Sequence, residues 1–213
     1  MRKILPLLIG CLFVFSSCKL EDTYTQSNVM DLVTVKGDYL VNDYGYTLTV
    51  TQDAVGRQNW QVEGARYYAL FDILNRQREI SLKEMVRSRQ ETLMEYDESQ
   101  EYPTDPVEPY MATYSGGYLN LGFDITVAKN TNNAHPIRFY YKMDGTNMTI
   151  HVVHTGNGED LRNMSKDDLE YEERMYHIPV EELGDYNMVT LVWHYLDNTT
   201  GTPELKEDTY TVR

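Results

Sequence analysis

Cysteine is nearly missing from this chain of 213 residues: Cys11 and Cys18 are the only two, and residues 19–213 contain none. The body of the protein therefore has no disulfide, no thiolate nucleophile and no metal thiolate to offer, and its stability must come from its core. Basic charge is also scarce. Nineteen Lys and Arg face 33 Asp and Glu, a net of −14, a sign that opposes the phosphate backbone a nucleic-acid binder must neutralise. Nucleic acid is therefore not an expected partner. Long apolar runs are absent too. The one uncharged apolar stretch, Ile4 to Phe15, is shorter than the roughly 20 residues that cross a bilayer as a helix. What remains is ordinary for a folded protein, with 41% hydrophobic and 24% charged residues, although 18 Tyr far outnumber 5 Phe. The length admits one large domain or two small ones.

Met1, Arg2 and Lys3 precede the apolar run, the layout of a basic n-region and an h-region in a secretory leader over residues 1–17. Phe15-Ser16-Ser17-Cys18 resembles the lipobox of bacterial lipoproteins, in which small residues precede a cysteine that is acylated and then becomes the new N-terminus. Phe stands where Leu is usual. Lys19-Leu20-Glu21-Asp22 resembles the Lys-plus-acid signal that sends Bacteroidetes lipoproteins to the cell surface. Lipidation at Cys18, by palmitate or similar chains, would contribute about 0.8 kcal/mol per buried methylene, so several chains hold a soluble body at a membrane. Loss of the leader leaves 17 basic against 33 acidic residues, a net of −16. Anionic headgroups should repel such a body, and attachment would rest on the acyl chains alone.

After a tether at 18–30, the chain divides into an expected barrel half at 31–94, an acidic connection at 95–109 and a sandwich half at 110–213. The connection holds six acids and three prolines with no basic residue, a composition that favours an extended, strand-free link. In the second half Leu119, Leu121, Phe123, Ile125 and Val127 alternate with polar residues, the period of a half-buried strand. Ile137 to Met143 and Met148 to Val152 repeat the pattern around the turn signal Asp144-Gly145. Val189, Leu191, Trp193 and Tyr195 form another inward row, and Asp208 to Val212 reads as a closing strand. These runs suggest an antiparallel β-sandwich. The first half offers strands at Asp31 to Lys36, Tyr39 to Asn42, Thr47 to Thr51, Arg66 to Leu74 and Glu79 to Val86, which suit a small barrel of the OB type. The stretch Ser81 to Met94 also carries partly helical spacing. The expected class is all-β, an OB-like barrel followed by a sandwich.

This order of lipobox, tether, five-strand half and sandwich half resembles the NigD-like lipoproteins of Bacteroidetes. The landmarks are Val33-Thr34-Val35-Lys36, the turn and strand from Asp43 to Leu48, Gly64-Ala65-Arg66-Tyr67-Tyr68 leading to Phe71-Asp72-Ile73-Leu74, and Gly117-Tyr118-Leu119-Asn120-Leu121. The resemblance implies an N-terminal OB domain, a C-terminal β-sandwich and, through the bacteriocin operon of the founding member, an immunity or export role. The acidic proline-rich insertion departs from the family pattern and blurs the boundary between the halves.

Residue chemistry adds little catalysis. His151 and His154 are three apart on an expected strand and point to opposite faces, so they do not grip one ion, and His135, His177 and His194 lie singly. Asp167, Asp168, Glu170, Glu172 and Glu173 could offer hard oxygens to calcium but lack the glycine-punctuated spacing of an EF-hand and read as a solvated loop. No His-Glu-x-x-His or nucleophile elbow occurs. No cofactor, metal or catalytic residue is expected. Trp60, Tyr67, Tyr68, Tyr44 and Tyr46 gather in the barrel half, where exposed rings could stack on a glycan or peptide. The sequence thus predicts a non-enzymatic lipoprotein, anchored through Cys18 in the outer membrane and facing the cell surface, that binds an envelope protein or glycan. A glycan-binding accessory protein and a fimbrial or adhesin subunit are the alternatives.

Overall fold

The computed structural model describes residues 24–129, 134–145, 147–156, 165–179, 181, 188–196 and 202–211. Thirteen strands and two short helical turns occur among them.

Five strands build the first half: β1 (Gln26–Lys36), β2 (Tyr39–Asn42), β3 (Thr47–Asp53), β4 (Arg66–Ile73) and β5 (Glu79–Gln90). Antiparallel pairing joins β1 to β2 and β4, β2 to β3, and β4 to β5, while β3 returns to lie parallel to β5. The ring β1-β2-β3-β5-β4 is thereby closed into the OB-type barrel expected from the sequence. Register shifts between Val50 and Gln52 and between Leu70 and Phe71 supply the bends that closure needs. Alternation decides the interior: Val33 and Val35, Leu48 and Val50, Ala69 and Phe71, Ile80 and Leu82 point inward and are buried. The possible helix at Ser81 to Met94 does not form. Pairing with β3 as far as Leu82, with β4 as far as Ser88 and with a later strand at Arg89 and Gln90 holds the chain extended.

Eight further strands follow: β6 (Met94–Glu95), β7 (Glu108–Ser115), β8 (Tyr118–Ala128), β9 (Ile137–Asp144), β10 (Asn147–His154), β11 (Leu169–Pro179), β12 (Met188–Leu196) and β13 (Pro203–Thr211). They form two layers. One, β11-β8-β7, continues the barrel sheet through β5, and the other runs β13-β12-β10-β9-β6. Between the layers lie Leu119, Leu121, Phe123, Ile125 and Val127 from β8, Tyr176 and Ile178 from β11, and Phe139, Ile150, Leu191 and Trp193 from the opposite sheet. The inward rows read from the sequence are the core of this sandwich.

Its pairing is not wholly antiparallel. β10 and β12 run parallel, as do β5 and β11 and β6 and β9. The reason is topological: after β10 the chain crosses to the other layer as β11, so β12 returns beside β10 in the same direction. The acidic cluster also departs from the expected loop. Glu170, Glu172 and Glu173 belong to β11, which pairs with β8 over its whole length, while Asp167 and Asp168 sit in the helical turn before it. Val212 of the expected closing strand lies outside the described residues.

The acidic connection is a strap, not a free link. β6 pairs with β9, and the Tyr96 N–H donates to the Tyr141 carbonyl at 2.8 Å. The Tyr96 ring stacks on His151 at 3.9 Å and on Tyr102 at 4.8 Å, and Tyr102 meets the edge of Tyr140. Asp105 then bridges to His154, and Val107 is buried in the sandwich core with its N–H on the His194 carbonyl. Aromatic contacts and core burial overcome the extended preference of the prolines. The strap packs against the second half, and the sheet runs unbroken from one half into the other.

Candidate functional site

Cys18 and the leader lie outside the described residues. The first strand begins at Gln26, inside the stretch expected as tether.

The five aromatic candidates do not form one surface. Trp60 ends a single helical turn, Arg57–Trp60, between β3 and β4, and its side chain plugs the barrel with no exposure. Its indole N–H donates to Asp53 Oδ2 at 2.9 Å, which satisfies the polar atom and fixes the ring. Tyr67 is also buried in the barrel core. Neither ring can stack on a ligand, which corrects the expectation drawn from composition. Tyr68 is half-buried with its hydroxyl directed at the Met30 sulfur. Only Tyr44 and Tyr46, on the β2–β3 turn, are exposed, and the Arg78 guanidinium covers the Tyr46 ring at 3.8 Å.

The structure instead brings polar residues together where the barrel meets the sandwich. Arg66 on β4 and Asp43 in the β2–β3 turn form a two-pronged ion pair with side chains only 3% and 4% exposed. Arg66 Nε donates to Asn120 Oδ1 of β8 at 3.0 Å, and Nη1 reaches Thr34 Oγ1 at 3.3 Å. The Ser115 hydroxyl donates to Asp43, and the Asn120 amide nitrogen donates to the Tyr118 carbonyl and to Ser115. The Arg66 guanidinium lies over the Tyr118 ring, whose neighbour is His177 of β11. Gly116 between β7 and β8 has a φ of +60°, and a Cβ there would collide with the Asp43 carboxylate. Three of the sequence landmarks, around Asp43, Arg66 and Asn120, thus meet in one buried network that locks the halves. Sequence reading marked these stretches without revealing the contact, because their separation along the chain hides their register.

His177 and Ser88 share a hydrogen bond of 2.9 Å at the edge of this network. Burial, then the charge of Arg66, pushes His177 down to about 4. A serine beside so weak a base is not activated as a nucleophile. The other histidines are separate. His154 is buried with Nδ1 on the Pro106 carbonyl at 2.8 Å, whereas His151 faces outward under Tyr96. Burial pushes both down. Among the described residues no three His, Cys, Asp or Glu side chains converge as metal ligands. Glu172 and Glu173 point to opposite faces of β11, and Glu172 is held by Arg174.

Two cavities adjoin the lock. One of about 340 Å³ is lined by Arg87, Arg89 and residues Glu172 to Tyr176, and a second of about 580 Å³ by Val62 to Arg66, Arg87 to Gln90 and His177. A third, of about 490 Å³, lies at the other end of the sandwich, between Tyr171 and Tyr195. It forms because β7 starts at Glu108 opposite Asp124, so β8 continues past that point without a neighbour on this edge.

A closed five-stranded barrel continued into a β-sandwich defines a class of two-part, all-β protein, and solved structures of the same build exist. The chain is similar to a NigD-like immunity protein from Bacteroides caccae, with 16% identity and a TM-score of 0.61 over 87% of this chain and 98% of that one. It is similar to a protein of unknown function from Bacteroides vulgatus, at 14% identity and a TM-score of 0.62 over 87% and 90% of the two chains. A candidate lipoprotein from Bacteroides fragilis matches at 10% identity and a TM-score of 0.57 over 88% of this chain and 99% of that one. No family model and no curated protein matches the sequence. The NigD-like resemblance is thus shown at the level of the fold. No helix among the described residues is long and apolar enough to cross a membrane.

Proposed function

We propose that this chain is a non-enzymatic lipoprotein, anchored through Cys18 in the outer membrane at the cell surface, that acts by binding or assembly in the envelope. The observation that carries the reading is the run Phe15-Ser16-Ser17-Cys18 directly ahead of a NigD-like fold. Between Cys18 and Gln26 an extended chain reaches at most about 30 Å, so the barrel would be held close to the lipid. Binding in place of catalysis is supported by the Ser88–His177 pair, buried and poorly basic. The name of the Bacteroides caccae neighbour suggests an immunity role as the particular form of that binding. Cross-linking in intact cells tests the proposal: the wild-type chain should capture envelope partners that Cys18→Ser loses together with its membrane fraction. A Cys18→Ser chain that stays in the membrane with the same partners would contradict it.

A further inference from the structure

The first two cavities are rich in positive charge, in a molecule whose net charge is −14. Arg87 and Arg89 stand two apart on β5, share one face, and line both cavities. Both are exposed, and neither makes a hydrogen bond or ion pair within the described residues. Arg89 is the register partner of Tyr176, whose hydroxyl also feels the charges of Arg174, Arg138 and Glu91. Two of the acids nearby are committed to other arginines. Glu91 pairs with Arg138 and Glu172 pairs with Arg174, whereas Glu63, which lines the larger cavity, accepts only the neutral Gly37 N–H at 2.7 Å and keeps its charge. Glu173 alternates to the other side of β11 but still lines the smaller cavity, and Arg66 belongs to Asp43. The guanidinium groups of Arg87 and Arg89 have no carboxylate within ion-pair distance among the described residues.

An unused donor points the same way. Arg174 Nε is buried in the wall of the smaller cavity without an acceptor. Buried donors left unmet cost about 1–3 kcal/mol each unless a ligand or water supplies the acceptor. Two guanidinium groups without a carboxylate partner offer donors to an oxyanion. Guanidinium forks arriving from two strands suit the tetrahedral oxygens of a phosphate monoester, whose charge near neutral pH is about −1.5 to −2.

We propose that the cleft between β5 and β11, floored by Arg87, Arg89 and Arg174, binds a phosphate monoester. This gives the binding role above a site and a ligand chemistry, and it rests on the fold, independent of acylation at Cys18. The phosphate could be carried by a soluble metabolite or by a lipid headgroup.

Calorimetric titration of the full chain in detergent with inorganic phosphate, glycerol 1-phosphate and monomeric dihexanoyl phosphatidic acid tests the proposal and separates the sources. Saturable binding of at least one is expected, weakened tenfold or more in Arg87→Gln/Arg89→Gln and unchanged in Lys36→Gln. Preference for the first two probes assigns a soluble ligand, and preference for phosphatidic acid a lipid. Both variants alter exposed side chains, and circular dichroism of each checks its folding. Binding by none of the probes, equal binding by the double variant, or equal binding of succinate would overturn the proposal. Since the readout does not depend on the membrane anchor, its failure is distinct from a failure of the anchoring reading.

Discussion

Removing Asp43 should uncouple the two halves, and the size of the effect follows from burial. The Asp43–Arg66 pair is nearly inaccessible and is also bonded to Ser115, Asn120 and Thr34. Asp43→Ala leaves a buried guanidinium with neutral partners only, a change that costs about 3–5 kcal/mol. Arg66→Met strands the carboxylate instead, at a similar cost. The double variant leaves neither charge unpaired and should lose only about 1–2 kcal/mol, giving a coupling energy of about 4 kcal/mol or more. For a body of this size, the Asp43→Ala loss corresponds to roughly 6–20 °C in Tm. The two tryptophans suit the assay, because Trp60 lies in the barrel core and Trp193 in the sandwich core. Urea unfolding of Trp60→Phe and Trp193→Phe backgrounds reports each half separately. The transitions should coincide in the parent chain and separate when Asp43 is replaced. A loss below about 1 kcal/mol for Asp43→Ala, or a double variant as unstable as the two singles added, would refute the reasoning.

Acid should weaken the fold partly through His177. Its pKa is depressed to about 4 in the native state, so the unfolded chain binds the proton first; the contribution is full above about 6.5 and is lost as pH falls toward 4. About 3 kcal/mol is the most this group can supply, and urea melts at pH 7.5, 6 and 4.5 should show a shallower decline in His177→Gln, with His151, His154 and His194 accounting for further acid sensitivity. Gly116→Ala should cost more than Gly117→Ala: both have positive φ, but only the first would press a Cβ onto Asp43, and thermal melts of the two compare them directly. Trp60→Ala should destabilise by about 3–5 kcal/mol, whereas Tyr44→Ala, at a 77% exposed ring, should stay within about 0.5 kcal/mol in the same melts.

Strands with one dry face were legible from sequence because alternation is a local signal. Leu119 to Val127 and Ile137 to Met143 lie where the pattern puts them. β11 was hidden, since the acids Glu170, Glu172 and Glu173 occupy its end beyond the core and erase the alternation there. β7 was hidden by Pro109 and by the polar residues around Ala112. Aromatic content misled at Trp60 and Tyr67, because composition does not record which face of a barrel a ring takes. The lock between the halves depends on residues as far apart as Arg66 and Asn120, 54 positions, and long-range pairing of that kind carries no local signature. For the same reason the arginine-lined cleft was unseen: Arg87 and Arg89 meet Arg174 only because β5 and β11 pair.

Mass spectrometry of the native polypeptide extracted from cell envelopes bears most directly on the account as a whole. The mature N-terminal peptide should begin at Cys18 and carry the added mass of acyl chains. An unmodified chain recovered from the soluble fraction with Met1 to Ser17 still in place would contradict it.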